Sequence, residues 1–233
     1  MGRNVMMYSN TQGIFLPETA PSAPITKKEI ETIMKGVEYS LVKYEKKEVY
    51  AKEGQLVGNV DIVVTGGMSG KTQSSSGKCV KITWNTIGKL MTPASIFSGR
   101  NLPVTIETDR QTILLRMTPQ TLQKLFTIDQ RIQMNFIRLI SGVAVEMAIR
   151  VKKLTLYTVR EKLASYLLDI AKRTNKDQFM IETSRQELAN MFAIQKFSLQ
   201  RVLSEFQKEG IIRTNRKWFT ILDREKLKAY AGE

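Results

Sequence analysis

The chain has 233 residues, 42% of them hydrophobic, enough to bury the core of one or two domains. Its 36 Lys and Arg against 22 Asp and Glu leave a net charge of +14, which points to a polyanionic partner, nucleic acid or an anionic membrane surface, ahead of an ordinary basic enzyme. One cysteine, Cys79, and no histidine exclude an intrachain disulfide framework, a four-cysteine iron–sulfur cluster within one chain, Cys/His zinc sites and histidine acid–base catalysis.

Residues 1–25 read as a loose arm containing Pro21 and Pro24, without the charged region and apolar run of a secretion signal. No run of about 18 apolar residues occurs, so no membrane-crossing helix is expected and the cytoplasm is the expected location. A short helix is predicted over residues 25–35. From residue 41 to 117, β-prone runs alternate with glycine: Asp61-Ile62-Val63-Val64-Thr65, then Gly66-Gly67, Val80-Lys81-Ile82-Thr83-Trp84, Val104-Thr105-Ile106-Glu107-Thr108 and Thr112-Ile113-Leu114-Leu115-Arg116. Short strands with such turn signals predict an all-β roll or barrel. Residues 70–77, with Ser74-Ser75-Ser76, read as a flexible hairpin tip. Gly70-Lys71-Thr72 makes no P-loop, since the earlier glycine and the following helix are missing.

The period then becomes helical. Residues 119–126 suit a short helix opened by Thr118 as N-cap and Pro119 at its first position. A longer helix is predicted over residues 129–154, where Ile132, Phe136, Leu139, Val143, Met147, Val151 and Leu154 recur every three or four residues. That stripe fits either a surface helix packed on its own domain or the seam of a two-chain coiled coil. Residues 158–173 form a further helix, 175–178 a turn and 179–182 a short strand.

The most informative stretch is residues 184–201. Ser184 and Glu187 make a capping box, which sets a helix start. The helix runs to about Met191, Phe192-Ala193-Ile194 turn the chain, and a second helix spans residues 195–208, stopped by Glu209-Gly210. Two short helices joined by so tight a turn make a helix-turn-helix, whose second helix lies in the DNA major groove. Gln195, Lys196, Ser198, Gln200 and Arg201 supply groups for base edges: Arg or Lys for guanine, Gln for adenine. Arg185 sits where a cation meets a phosphate. An amphipathic helical hairpin with a solvated polar face is the plainer alternative. Residues 211–214 and 218–221 read as a β-hairpin wing, with Arg216 and Lys217 at its tip to reach phosphates or simply to solubilise the turn. A last helix over residues 224–230 closes the module.

From element order after the first 25 or so residues, and above all from Ser184-Arg-Gln-Glu-Leu-Ala through Arg201-Val-Leu to Glu209-Gly-Ile-Ile, the chain resembles the Crp/Fnr superfamily of bacterial regulators. The resemblance implies an α+β chain: a flexible arm (1–25), a β-roll sensor of the cyclic-nucleotide-binding-like jelly-roll type (26–127), a dimerisation helix (128–154) and a winged helix-turn-helix (155–233). It implies the coiled-coil reading of the stripe, a homodimer on a pseudo-palindromic double-stranded DNA site, and RNA polymerase as a further partner. Carried over by position, Arg185 and Gln195 touch phosphates while Lys196 and Arg201 read bases. Where the family commonly has a glutamate, this chain has Phe197, which cannot accept a hydrogen bond from cytosine but can touch a thymine methyl.

The sensor departs from cyclic-nucleotide binders, whose Gly-Glu pair and Arg-Ser cassette are replaced by Gly88-Lys89 and by Ser98-Gly99-Arg100-Asn101. Cyclic AMP is therefore not expected to bind. Residues 88–97 with Leu102-Pro-Val-Thr look closest to regulators of hybrid-cluster proteins, a branch linked to nitrosative stress and in some members to haem. Haem would need a non-histidine ligand, one of eleven methionines or Cys79. Lys89, Met91, Phe97 and Arg100 are the candidate effector pocket. No catalytic or metal-binding residues are assigned, since no nucleophile–base pair, metal cluster or phosphate loop occurs. The competing reading is a constitutive DNA-binding dimer whose β-roll mediates only protein contacts.

Overall fold

Local signals place most of the element boundaries. A computed structural model describes residues 25, 27–73, 79–84 and 88–232. Residues 1–24 of the expected arm and 74–77 of the expected hairpin tip lie outside the described residues. The chain divides into two compact units, Met1–Thr72 with Lys81–Val145 and Gln73–Val80 with Glu146–Glu233.

The first unit opens with α1 (Lys27–Met34), followed by strands β1 (Ser40–Tyr44), β2 (Val49–Ala51), β3 (Val60–Thr65), β4 (Met68–Gln73), β5 (Cys79–Trp84), β6 (Thr105–Thr108) and β7 (Thr112–Met117). They form two sheets, ordered β1-β7-β3 and β2-β6-β4-β5. Gly66 turns β3 into β4 at φ +101°, and a Cβ there would collide with Thr112 and the Gln111 carbonyl. Gly70 and Lys71, expected in the flexible tip, lie within β4, where Gly70 pairs with Ile106 and the Lys71 ammonium meets Glu107 at 2.8 Å.

Strand β3 is buried on both faces because its alternate residues enter different cores. Val60, Ile62 and Val64 pack with Ile25, Ile30, Met34, Leu122, Leu125 and Ile132 on the helical side. Val63 packs with Met68, Met91, Leu102, Ile106 and Leu114 between the sheets. Ile25, expected in the loose arm, is thus a wholly buried core residue. Asp61 shares the parity of Val63, and in register it faces Arg116 of β7. Its buried carboxylate accepts from the Arg116 Nε at 2.7 Å and Nη2 at 2.8 Å, and from the Tyr50 hydroxyl at 2.7 Å. Arg116 also donates to the Tyr44 hydroxyl at 3.1 Å, and Tyr44 meets Tyr50 edge-on with centroids 5.9 Å apart. Hydrogen bonding to Asp61 pushes the Arg116 pKa further up; burial, then the Asp61 charge, pushes the Tyr50 pKa far above its ordinary value.

Thr118 caps α2 (Pro119–Ile128) by accepting from the Thr121 N–H at 3.1 Å, as its Thr-Pro sequence requires. Asp129 ends that helix and, with Glu29, holds Arg131 at 2.6 and 2.9 Å. Helix α3 (Gln130–Leu156) follows, with 27 residues. An 18-residue window within it has mean hydropathy 1.3, so by length and composition it is apolar enough to cross a bilayer, and the expectation of no such segment is corrected. In the first unit Ile132 is buried and Phe136 and Leu139 pack on the helical-side cluster. Of these three, all expected on a seam between subunits, Ile132 is wholly buried in its own unit, while Phe136 and Leu139 are only partly covered by it: their periodicity signals a buried face without saying what buries it. Val143 is half-buried, and Met134, Ile137 and Val145 are exposed.

In the second unit, Leu154 is half-buried and Met147, Ile149, Val151 and Leu156 are exposed. There Glu146, Arg150, Lys152 and Lys153 interrupt the apolar run. The unit continues through α4 (Val159–Thr174), β8 (Gln178–Met180), α5 (Arg185–Met191), α6 (Lys196–Lys208), β9 (Ile212–Asn215), β10 (Trp218–Ile221) and α7 (Arg224–Ala231). Its three strands form a sheet ordered β8-β10-β9. One core gathers Leu163, Leu167, Phe179, Leu188, Leu199, Phe206 and Phe219 among others.

The Asp61–Arg116 pair yields a stability prediction. Arg116→Met should destabilise the first unit by about 3–5 kcal/mol, because it strands a buried carboxylate. Adding Asp61→Asn should recover much of that loss in thermal unfolding. A single variant that melts like the wild type would show that the carboxylate does not need its partner.

Candidate nucleic-acid interface

Reciprocal hydrogen bonds set the start of α5. The Ser184 hydroxyl accepts from the Glu187 N–H at 3.2 Å, and the Glu187 carboxylate accepts from the Ser184 N–H at 2.9 Å. The turn after α5 places Ala193 at φ +54°, and the Ile194 N–H donates to the Ala189 carbonyl at 3.0 Å. Phe192 anchors that turn edge-on against Tyr166, with centroids 5.4 Å apart. Lys162 of α4 holds it as well, its ammonium donating to the Phe192 carbonyl at 3.2 Å and the Leu154 carbonyl at 3.0 Å.

Helix α6 leaves this turn with one face sealed. Leu199, Val202, Leu203 and Phe206 are buried. Lys196, Phe197, Gln200 and Arg201 are exposed and Ser198 is half-buried. Gln195 is the N-cap residue, but its side chain makes no cap hydrogen bond and no acid lies in the first turn. The positive end of the helix is therefore open to an anion, and the exposed Gln195 amide is spare.

Arg201 is the cation best placed on this face, and its freedom depends on a neighbour. Its side chain is 65% exposed and its Nε lies 3.8 Å from Glu205. Two Arg160 donors already occupy Glu205, at 3.0 and 2.8 Å. This hydrogen bonding raises the Arg160 pKa, and the guanidinium also lies 5.5 Å from the Tyr230 ring centroid. An exposed pair at 3.8 Å is worth at most about 1 kcal/mol, so Arg201 can leave Glu205 at little cost.

The wing is the hairpin β9–β10, with Arg216 at φ +53° in its turn and Lys217 beside it, both exposed. Arg185 binds this wing from α5. Its Nη2 donates to the Arg216 carbonyl at 3.2 Å and its guanidinium lies 4.4 Å from the Phe219 ring centroid. Burial lowers its pKa. Expected as a phosphate contact, Arg185 thus ties the first helix of the motif to the wing.

The candidate effector residues do not converge. Met91 is buried between the sheets. Lys89 and Arg100 are exposed. Phe97 joins Phe126 and Phe136 in an aromatic triad on the helical side, with centroids 5.5 to 6.4 Å apart. The loop carrying them turns each toward a different environment, so together they line no single pocket. Of the candidate haem ligands, the side chain of Cys79 lies outside the described residues. Arg160 and Lys162 were not legible as site residues, since their partners lie 30 or more positions away for Phe192 and Glu205.

Arg185→Ala should cost about 1–3 kcal/mol, the sum of a stacked cation and one hydrogen bond. Amide exchange at residues 216–219 should accelerate. Unchanged exchange there would show that the wing holds its position without Arg185.

Residues 161–230 match the Crp-like helix-turn-helix domain family. The transcriptional regulatory protein btr of Bordetella pertussis is 28% identical over 78 residues, 31% of this chain and 32% of that protein, so the match spans about a third of the curated relative. Similarity of fold extends further. A mutant of CooA from Carboxydothermus hydrogenoformans superposes with a TM-score of 0.70 at 16% identity, covering 97% of this chain and 98% of that one. A Crp/Fnr-family transcriptional regulator from Eubacterium rectale gives 0.63 at 16% identity, covering 89% and 95%. Residues 161–230 are thus similar to Crp-like helix-turn-helix domains, and the chain shares its fold with solved structures such as the Crp/Fnr-family regulator from Eubacterium rectale.

Proposed function

We propose that this chain is a sequence-specific, DNA-binding transcription regulator acting as a homodimer on a pseudo-palindromic site. The observation that carries this reading is the two-sidedness of α6: one face is sealed in the core, and the other exposes Lys196, Gln200 and Arg201 beside an uncapped helix N-terminus. Lys196 and Arg201 read bases, while Gln195, Arg216 and Lys217 contact phosphates. The exposed apolar residues of α3 require cover. A second copy suits them better than a bilayer, because Arg138 and Glu146 lie within the apolar stretch and Arg150, Lys152 and Lys153 crowd directly after it. Such a regulator works in the cytoplasm and meets RNA polymerase there.

On the resemblance of residues 88–97 and 102–105, the input to the β-roll is a nitrosative or redox signal. A second reading, a constitutive DNA-binding dimer whose roll makes only protein contacts, is favoured by the scattering of Lys89, Met91, Phe97 and Arg100. It is also favoured by the Asp61–Arg116–Tyr50 cluster, which occupies space between the sheets. A melting-temperature shift on adding haem would support the first reading, and none with haem, nitric oxide or cyclic AMP would support the second.

The DNA reading predicts a steep salt dependence. Arg216 and Lys217 from two subunits make about four phosphate-contacting cations, so affinity should fall about a hundredfold between 50 and 200 mM salt. A flat response would remove DNA as the partner. Arg201→Ala should cost about 1–3 kcal/mol and relax specificity at one position per half-site, seen by competing single-base operator variants.

A further inference from the structure

Phe197 is an anomaly on the interface face. It is 75% exposed, while its neighbours Lys196, Ser198, Gln200 and Arg201 are all polar. An exposed phenyl ring keeps a large apolar area in water that burial against a partner would release. It belongs to none of the core clusters and is surrounded by polar side chains on its own helix, so it offers no contiguous apolar patch of the roughly 800 Å² per partner that a stable protein interface buries. In the major groove of DNA the bases expose one apolar group, the C5-methyl of thymine. Set against a guanine O6 or an adenine N6, the ring would strip water from a polar atom and return no hydrogen bond.

We propose that Phe197 packs on a thymine methyl in each half-site and so makes the operator depend on that methyl group. The inference rests on the DNA-binding reading above and adds the identity of a base. It also locates the base. Arg201 lies four residues further along α6, on the same side, about 6 Å along the helix axis. With base pairs rising about 3.4 Å each, the thymine sits within one or two steps of the base that Arg201 reads. Each half-site therefore pairs an apolar contact with an adjacent guanidinium contact.

The test uses the full chain. High-affinity duplexes are selected from a random pool, and each thymine of the selected site is replaced singly by deoxyuridine, which deletes only the methyl. Wild-type affinity should fall about three- to tenfold at one symmetric position per half-site, the scale of one buried methyl. Phe197→Ala, which should melt with the wild type because the side chain is exposed, should bind the thymine duplex more weakly and ignore the deoxyuridine change. The sensitive position should lie within two base pairs of the one relaxed in Arg201→Ala. Binding that is indifferent to every methyl, or a methyl penalty that persists in Phe197→Ala, would overturn the proposal while leaving DNA binding intact. Failure to enrich any duplex would remove the DNA reading itself, and this inference with it.

Discussion

A helix can offer an unpaired polar face to a ligand only when its other face is held firmly enough to fix the angle of presentation. For α6 that hold is apolar. Leu199, Val202, Leu203 and Phe206 are buried, each worth roughly 1.5–3 kcal/mol on burial. Directional contacts at the turn sharpen it, since Lys162 binds the Phe192 carbonyl and Ser184 and Glu187 cap the preceding helix. Loss of the sealed face would leave Lys196, Gln200 and Arg201 on a helix with no defined orientation, whatever their own chemistry.

The first unit solves a different problem with the same logic. In the sheet β1-β7-β3 the strands β3 and β7 divide an apolar helical layer from a second core between the sheets, so these two strands bury apolar residues on both sides. Asp61 and Arg116 interrupt that rule together. A buried carboxylate costs several kcal/mol alone, and two guanidinium hydrogen bonds plus a tyrosine hydroxyl offset the cost. Because the two residues are cross-strand partners, the pair also penalises a slipped register: a shift of one strand by one residue would turn its charge to the helical side, away from its partner.

How much of this was legible in the sequence depended on how local each signal was. The Ser184–Glu187 box, the Thr118-Pro119 start and the Glu209-Gly210 stop each involve groups within a few residues, and each structural boundary lies there. Thr158 with Glu161 carries the same capping signature, yet Thr158 itself reads as helical when that pair goes unnoticed. The Asp61–Arg116 bond joins residues 55 positions apart, and nothing in either neighbourhood announces it. Ile132, Phe136 and Leu139 show the intermediate case, in which period reveals a covered face but not the covering partner. Lys89, Met91, Phe97 and Arg100 are close in sequence and lie in different environments, because a loop imposes no common direction on its side chains.

The engagement of Glu205 by Arg160 reaches beyond local packing. Glu205 is the single acid of α6, one turn from Arg201. Held by Arg160, it competes poorly with a base edge for the Arg201 guanidinium; released, it becomes an intramolecular decoy. The strength of recognition is therefore adjustable from α4, through a residue outside the exposed face of α6, by altering how tightly that decoy is kept occupied.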